Sequence, residues 1–449
     1  MLIIDAPRTR EPERSYVLSI VLGDMLGVPH RVAFGDRDDW RIRCEGMEGE
    51  LVLPDVLLGC PEQDWLSPAT LPTLPLATLG DGAVPILVGR TSDAGVELDV
   101  FGSVFYMLTR YEERAVGAVD SFGRFPPEQA LSVRAGLVER AIVDEYVDWL
   151  WDQLIALWPR LERGGPTFSI SLTHDVDWVT TVNQPVQPLV RLVVGDGLRR
   201  HDARLMIARA RAAVRTRRGM ADVRDPADTF DFLMETSEQN GLRSSFYFLA
   251  NAVDRQAFHH EPYLLTEPRI GALLGAIGRR GHEVGLHGGY GTHRDSGLLA
   301  AQLTALREGA TAAGVEQEQW GGRHHFLQFE APATWAAWEA AGLGYDSSLA
   351  FAGAPGFRCG TTHDFAVFDL DARRRLALVE RSLTAMEGSF LDPHYLGLPP
   401  DEAAARMLSL AAVCRRHGGR FTLLWHNTAL VKSADRRLYR EVVQSLASL

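Results

Sequence analysis

The sequence predicts an α/β protein, with a parallel barrel or doubly wound sheet over residues 164–449 and a smaller α/β domain over residues 1–163. Three observations carry this. The 449 residues exceed one average domain. From residue 167 onward, short apolar runs alternate with helical patterns, the rhythm of parallel sheets. Gly164-Gly165-Pro166 follows a helical stretch ending near Trp158 and marks the boundary.

In the first part, the apolar runs Leu51 to Leu58 and Val84 to Val88 lie between Gly- and Pro-rich breaks, and a helix is expected around Val138 to Trp158. Phe101 to Arg110 reads as a helix ending in a polar turn at Tyr111, Glu112 and Glu113, and SFGRFPPEQA reads as loop. In the second part, strands are expected at Thr167 to Leu172, Ser245 to Leu249, Glu283 to Leu286, Leu343 to Tyr345 and Phe421 to Trp425. Helices are expected at 228–240, 301–313 and 402–417, the last ending at Gly418-Gly419. Between the first strand and the next helix, Arg191 to Arg224 carries ten Arg against three Asp and reads as a helical insertion, near 185–225. Its arginines form either a solvated face or a clamp for a phosphate or a lipid headgroup.

Apolar residues at 46% and charged residues at 23% are ordinary globular composition and exclude global disorder. Forty-six basic against 58 acidic side chains give −12, so overall charge cannot supply a grip on nucleic acid or anionic membrane, and any anion site must be local. No nucleic-acid partner is expected. Cys44, Cys60, Cys359 and Cys414 have no C-x-x-C spacing, which argues against a thiolate zinc site or a disulfide framework. The opening residues lack a basic stretch before an apolar run and carry Asp24 within their most apolar part, so no leader is expected. No run reaches the ~18 apolar residues of a membrane span. The expectation is a cytoplasmic protein without a transmembrane segment; oligomeric state stays open.

Chemistry concentrates at strand ends, where α/β barrels place it. Thr173 to Trp178, THDVDW, offers Asp175 and Asp177 at i and i+2, on the same side of an extended chain. One can bind a divalent metal while the other acts as a base. The same pattern serves metal-dependent glycosyltransferases. GHEVGLHGGYGTH places His282, His287 and His293 around a short strand, with Gly288, Gly289 and Gly291 allowing close approach of a ligand. GGRHHFLQF adds Arg323, His324 and His325; alternation sends the two histidines to opposite sides, so one at most faces a common site. His426 ends an apolar strand in FTLLWHNT, a natural place for a general acid and also for a capping histidine. Asp346 in YDSSL and Glu387 in MEGSF supply further acids.

THDVDW, GHEVGLH, GGRHHFLQF, GYDSSLAF, GFRCGT and LLWHNT, in this order, resemble the polysaccharide deacetylase family, the NodB-homology domain of carbohydrate esterase family 4. The likeness spans roughly Pro166 to Leu449 and points to the branch associated with surface-polysaccharide biosynthesis. DVFGSVFYMLTRYEE and GRFP resemble the uncharacterised domain that often precedes that branch. The resemblance implies a distorted (β/α) barrel of the NodB type with a divalent cation at the carboxyl ends of its strands, zinc being expected and cobalt, manganese, nickel or iron the alternatives. It implies Asp175 as base, Asp177 and His287 as ligands, Arg323 holding the base, Asp346 as an orienting acid and His426 as proton donor. Four residues after His287, where the family usually has its second histidine, stands Gly291. His293 and His325 are the candidates for the third ligand, and the branch favours His325.

The implied function is removal of an N-acetyl group from an acetamido sugar, in a polysaccharide or a nucleotide- or lipid-linked precursor. Three other readings remain: an amidase of a small amide or cyclic ureide, a glycosyltransferase using Asp175-Val176-Asp177, and a sugar-binding protein on a deacetylase scaffold whose metal site has decayed at Gly291.

Overall fold

The computed structural model describes residues 1–449 except 80, 81, 83, 94, 183–185, 199–201, 221–224 and 251–262. The first part holds a four-stranded sheet in the order His30–Gly35, Leu2–Pro7, Asp39–Cys44, Leu51–Pro54, with the first pair parallel and the others antiparallel. Against it lies the helix Val100–Leu108, whose nine residues are all buried. It is apolar on every side, and such a helix is stable only inside a core. Asp99 caps it, accepting from the Gly102 amide at 2.8 Å and from the amides of Val56 and Leu57 at 2.8 and 2.9 Å. Burial raises this carboxyl to about 6 against those three hydrogen bonds. The polar turn expected after the helix is instead a left-handed Arg110, φ 53°, leading into a second helix, Tyr111–Val116.

Among the described residues, the second part is built on nine strands: β1 (Ser169–Val176), β2 (Ser244–Leu249), β3 (Glu283–Gly288), β4 (Gly321–His324), β5 (Tyr345–Asp346), β6 (Phe365–Asp369), β7 (Arg374–Glu380), β8 (Ala385–Met386) and β9 (Arg420–Leu424). Their order is β6-β7-β5-β4-β3-β2-β1-β9-β8, and every pairing is parallel except β6 with β7. Flanking helices include Phe230–Gln239, Pro268–Arg279, Ser296–Ala312, Ala333–Ala340, Pro400–His417 and Ser433–Ala447. The expected mixed α/β architecture is thus present. The strands β4, β6, β7 and β8 and the helices at 268–279, 333–340 and 433–447 are additions to the sequence reading.

This sheet has to curl. In a flat sheet β7 and β8 would lie seven strand spacings apart, about 34 Å. Only residues 381–384 separate them, a reach of roughly 17 Å when fully extended. The bridging residues bond to both sides, with the Arg381 and Leu383 amides donating to Asp346 and Leu349 and the Thr384 amide donating to Thr422 at 3.1 Å. The curl turns the carboxyl ends of β1, β3, β4 and β9 toward one another. Gly322 marks how tightly β3 and β4 approach: an added Cβ would stand 1.8 Å from the Leu286 carbonyl oxygen.

The Arg-rich segment forms two helices, Val186–Leu198 and Ala203–Arg217, around the small cluster Val182, Leu189, Ala212 and Ala213. Arg209 is buried against Asp196 at 2.6 Å; Arg199, Arg200 and Arg224 lie outside the described residues.

One continuous apolar core runs from Leu2 to Leu446 through both parts. Buried charges tie them together. Glu113 accepts from Arg110 at 2.9 Å and from Arg358 at 2.9 and 2.8 Å, all three being almost fully enclosed. Asp144 accepts from the Thr361 hydroxyl at 2.6 Å and from the Thr362 hydroxyl and amide at 2.7 and 2.9 Å. Removing one member of a buried pair strands its partner's charge, whereas exposed pairs contribute little. Arg358→Ala should therefore lower unfolding free energy by about 3–5 kcal/mol, while breaking the exposed Arg114–Asp371 pair with Arg114→Ala should change it by less than about 1 kcal/mol. Urea denaturation of the two variants measures the difference.

Candidate metal centre

β1 runs further than the sequence suggested, through Thr173, His174 and Asp175 to Val176, with Asp177 just beyond its end. Asp175 and Asp177 both turn toward the centre of the curled sheet. Asp177 Oδ1 lies 3.3 Å from His287 Nε2 and 3.5 Å from His325 Nε2, and its Oδ2 lies 3.8 Å from His426 Nε2. Asp177, His287 and His325 each offer one ligand atom, all within 4.8 Å of one another.

His287 stands at the end of β3, and its Nδ1 is 2.9 Å from the Arg323 carbonyl oxygen. A carbonyl only accepts, so Nδ1 carries the hydrogen and Nε2 presents a lone pair to the pocket in the neutral ring. Both His287 Nε2 and Asp177 Oδ1 are buried with no hydrogen-bond partner among the described residues. Buried polar atoms are ordinarily satisfied, and two adjacent orphans with lone pairs converging fit a cation. Burial works against charge on both groups. For Asp177 it is overcome by the neighbouring imidazoles of His287, His325 and His426, which hold the carboxyl well below its usual range. For His287 it is overcome by Asp175 and Asp177, which raise the imidazole. The field that draws a proton onto this histidine is equally a field for a metal ion, which would displace that proton.

His325 reaches the centre from a strained backbone. The residues after it, Phe326 and Leu327, both have left-handed φ values, 60° and 54°, without being glycine. Such strain persists only where the surroundings over-determine it. Here Phe326 stacks on Phe122 at 5.4 Å, and its carbonyl accepts from Arg124 at 2.9 Å. Gly291, with φ 83°, donates its amide to Gln328 Oε1 at 2.7 Å, and the Gln328 amide donates to the Phe122 carbonyl at 2.7 Å. A histidine at 291 would carry the penalty of that φ. His293 is not among the convergent ligand atoms; its ring lies 6.3 Å from His324. His324 accepts from Trp338 Nε1 at 2.6 Å and points away from the centre, and His282 accepts from the Ser244 amide.

Two further groups flank the centre. Asp175 Oδ1 accepts from Arg323 Nη1 at 2.8 Å, while its Oδ2 faces His287 Nε2 at 3.9 Å. Arg323 is itself fixed by the Ser347 carbonyl and hydroxyl at 2.8 and 2.9 Å. On the other side, His426 Nδ1 lies 2.7 Å from Glu387 Oε1. Burial disfavours charge on His426, but Glu387, then Asp177 and Asp175, outweigh it and push the imidazole up to about 10. Asp346 is not at the pocket. It is fully buried, accepts from the Ser348 amide at 3.0 Å, and faces Glu380 across the β5–β7 register. Burial raises both carboxyls.

Asp175, Asp177, His287, His325 and His426 line one pocket of about 170 Å³, together with Arg124 and Tyr395. A second cavity of about 120 Å³, lined by Asp120, Phe125, Phe351 and Arg358, shares Arg124 and Tyr395 with it. Sequence reasoning noted Glu387 without a role and read the Arg124 loop only as loop. The GRFP motif marks the latter, but nothing local says that it folds onto the curled sheet.

A family of unknown function, DUF7033, matches residues 2–159. No curated protein matches the chain. A crystal structure from Mycobacterium smegmatis, provisionally described as a polysaccharide deacetylase, aligns over 64% of this chain and 86% of its own at 18% identity, with a TM-score of 0.39. That similarity lies below the level from which a shared fold follows. Among the described residues, no helix is long and apolar enough to cross a membrane.

Elemental analysis of protein loaded with zinc, cobalt or manganese should find about one ion per chain at a three-ligand centre. His287→Ala and His325→Ala should lose it, and His293→Ala should keep it. A second expectation concerns pH. His174 is buried between the Trp425 carbonyl and the Ser244 hydroxyl, and burial lowers its pKa to about 4. The unfolded chain protonates this ring near 6.5, so between those values only the unfolded state holds the extra proton, and stability falls as pH drops through the window. Metal-free protein should lose on the order of 3 kcal/mol there from this group, and urea titrations of His174→Gln should show a shallower decline.

Proposed function

We propose that this chain is a metal-dependent hydrolase that removes an N-acetyl group from an acetamido sugar, on a polysaccharide or on a nucleotide- or lipid-linked precursor. The observation that carries the reading is one arrangement: Asp177, His287 and His325 converge, with the Arg323-held Asp175 on one side and the Glu387-held His426 on the other. The ordered motifs of the second part support membership of the polysaccharide deacetylase family, with residues 164–449 as a NodB-type barrel and 1–163 as a separate preceding unit. Zinc is the proposed ion, with cobalt, manganese, nickel or iron as alternatives.

A bound divalent cation would act as a Lewis acid on the amide carbonyl and lower the pKa of a water beside it. Asp175, tethered through one oxygen, has the other free to take the proton from the attacking water. Water oxygen bonds to the acetyl carbon, the carbon–nitrogen bond breaks, and His426, held protonated by Glu387, gives its proton to the departing nitrogen. Acetate and a free amine result. A transferase using only Asp175-Val176-Asp177 has no use for the His426–Glu387 pair, which favours hydrolysis. Arg124 is held by Asp120 and the Phe326 carbonyl, which leaves guanidinium hydrogens for sugar oxygens beside the pocket.

Acetate release from a panel of free, nucleotide-linked and polymeric N-acetylated sugars tests the reading. Asp175→Asn and His426→Ala should each cut kcat by about 10²–10⁴-fold with metal content kept, and Arg124→Ala should act mainly on KM. Full activity in both of the first two variants would refute the assigned roles, and a protein that takes up no metal would point to the decayed scaffold.

A further inference from the structure

The two helices of the Arg-rich segment carry an exposed surface that the hydrolytic centre does not use. Among the described residues, 17 large apolar side chains are exposed, and seven of them fall within 186–220. Four are spaced by four residues along the first helix: Val186, Val190, Val194 and Leu198, from 45% to 72% exposed. That spacing keeps them on one face of the helix, while Leu189 turns inward to the small cluster. On the second helix, Ile207 and Val214, seven residues apart, share a face and are also exposed. Beside them lie exposed arginines, Arg204, Arg211, Arg215 and Arg218, and Arg191 borders the stripe on the first helix.

Scattered exposed apolar residues need no explanation, but a run of this kind on adjoining helices does. Apolar side chains alternating with arginines on an amphipathic surface are the composition of helices that lie in a bilayer interface. Among the described residues of the segment, Arg191, Arg204, Arg211, Arg215, Arg217 and Arg218 are exposed while Asp196 is buried on Arg209, so the surface is basic on a chain that carries −12 as a whole. Charge complementarity therefore selects an anionic surface, and the apolar stripe selects one with a hydrocarbon interior over a nucleic acid or a soluble phosphate.

The residues that flank the segment are also tied to each other. Asp225 gathers the Thr180 and Thr181 hydroxyls and the amides of Thr181, Val182 and Ala227, at 2.5–2.9 Å, closing the segment's two ends on each other. The Asn427 side chain donates to the Trp178 and Ala227 carbonyls at 2.8 and 3.2 Å. Asn427 is the neighbour of His426, and Trp178 follows Asp177, so the residues that flank the segment lie at the rim of the pocket.

We propose that the helical pair at 186–217 is a peripheral docking element for an anionic lipid bilayer, seating the carboxyl-end face of the curled sheet against the membrane surface. This inference stands apart from the hydrolase reading, because it is measured without turnover.

The test is co-sedimentation of the full chain with vesicles of roughly one phosphatidylglycerol to two phosphatidylcholines, beside pure phosphatidylcholine. Wild type should bind the anionic vesicles, and less so as salt rises. The pairs Val190→Asp with Val194→Asp and Arg211→Glu with Arg215→Glu should each weaken binding about tenfold or more. All four side chains are exposed, and unchanged thermal unfolding checks that the fold survives. No binding to anionic vesicles, or binding that both pairs leave intact, overturns the proposal. So does retention on DNA without vesicle binding, or a self-association in sedimentation velocity that the valine variants abolish while vesicle binding is absent.

Discussion

A guanidinium sealed from water must satisfy its charge within the protein, because the desolvation of an unpaired buried ion costs several kcal/mol. Arg323 is in that position, with no exposed surface. Its donors go to Thr173 and Asp175 on β1 and to the carbonyl and hydroxyl of Ser347 after β5, and its plane lies over Tyr247 of β2 at 5.2 Å. Its own carbonyl takes the Nδ1 hydrogen of His287 on β3. One residue on β4 thus sets the spacing of strands on both sides of it, the orientation of one carboxylate through its side chain and the tautomer of one metal-ligand candidate through its carbonyl. The glycines around it make room for this, and Gly322 is the closest case. Lysine, with a single ammonium on a flexible stem, could not reproduce such a planar fan of donors.

The sequence was most informative where a local pattern and its physical cause coincide. Helices such as Pro400–His417 combine an apolar face with a left-handed glycine at Gly418, and the nearly continuous apolar residues of β9 read as a buried parallel strand. The β6–β7 hairpin was not legible, because its turn carries no glycine signal. Asp369 accepts from the amides of Asp371 and Ala372, both at 2.9 Å, and Arg373 takes the left-handed conformation itself. The short β4 was hidden for a related reason: Gly321 and Gly322 carry no strand signal, yet they pair with β5 and β3 at an approach that leaves no room for a larger side chain. In the centre, alternation correctly allowed one of His324 and His325 to face inward. It could not tell which, since that depends on the reversal at Phe326 and Leu327. Asp346, expected as an orienting acid, is fully buried on Ser348 and lies within electrostatic reach of Arg323.

The first part of the chain is more than an appendage to this centre. Its Phe122 and Arg124 hold Phe326, and through Gln328 they also reach the amide of Gly291. The two segments that bring His287 and His325 together are therefore both anchored on one loop of the other unit. The RYEE and GFRCGT motifs, which no catalytic role explains, acquire a physical one here: Glu113 of the first and Arg358 of the second neutralise each other inside the shared core.

β6 has a bearing on how such a chain can be assembled. It is the last strand on its side of the sheet among the described residues, and all five of its residues are buried. Helices of the first part cover it, with the rings of Tyr16 and Phe105 at 5.0 and 5.5 Å from Phe368. An uncovered strand of this kind, apolar and with unpaired backbone groups, is a template on which another chain can add. The covering helices thus guard solubility during synthesis, when the first part emerges from the ribosome before the strand it must shield. A second part produced alone would need a new guard at the same edge.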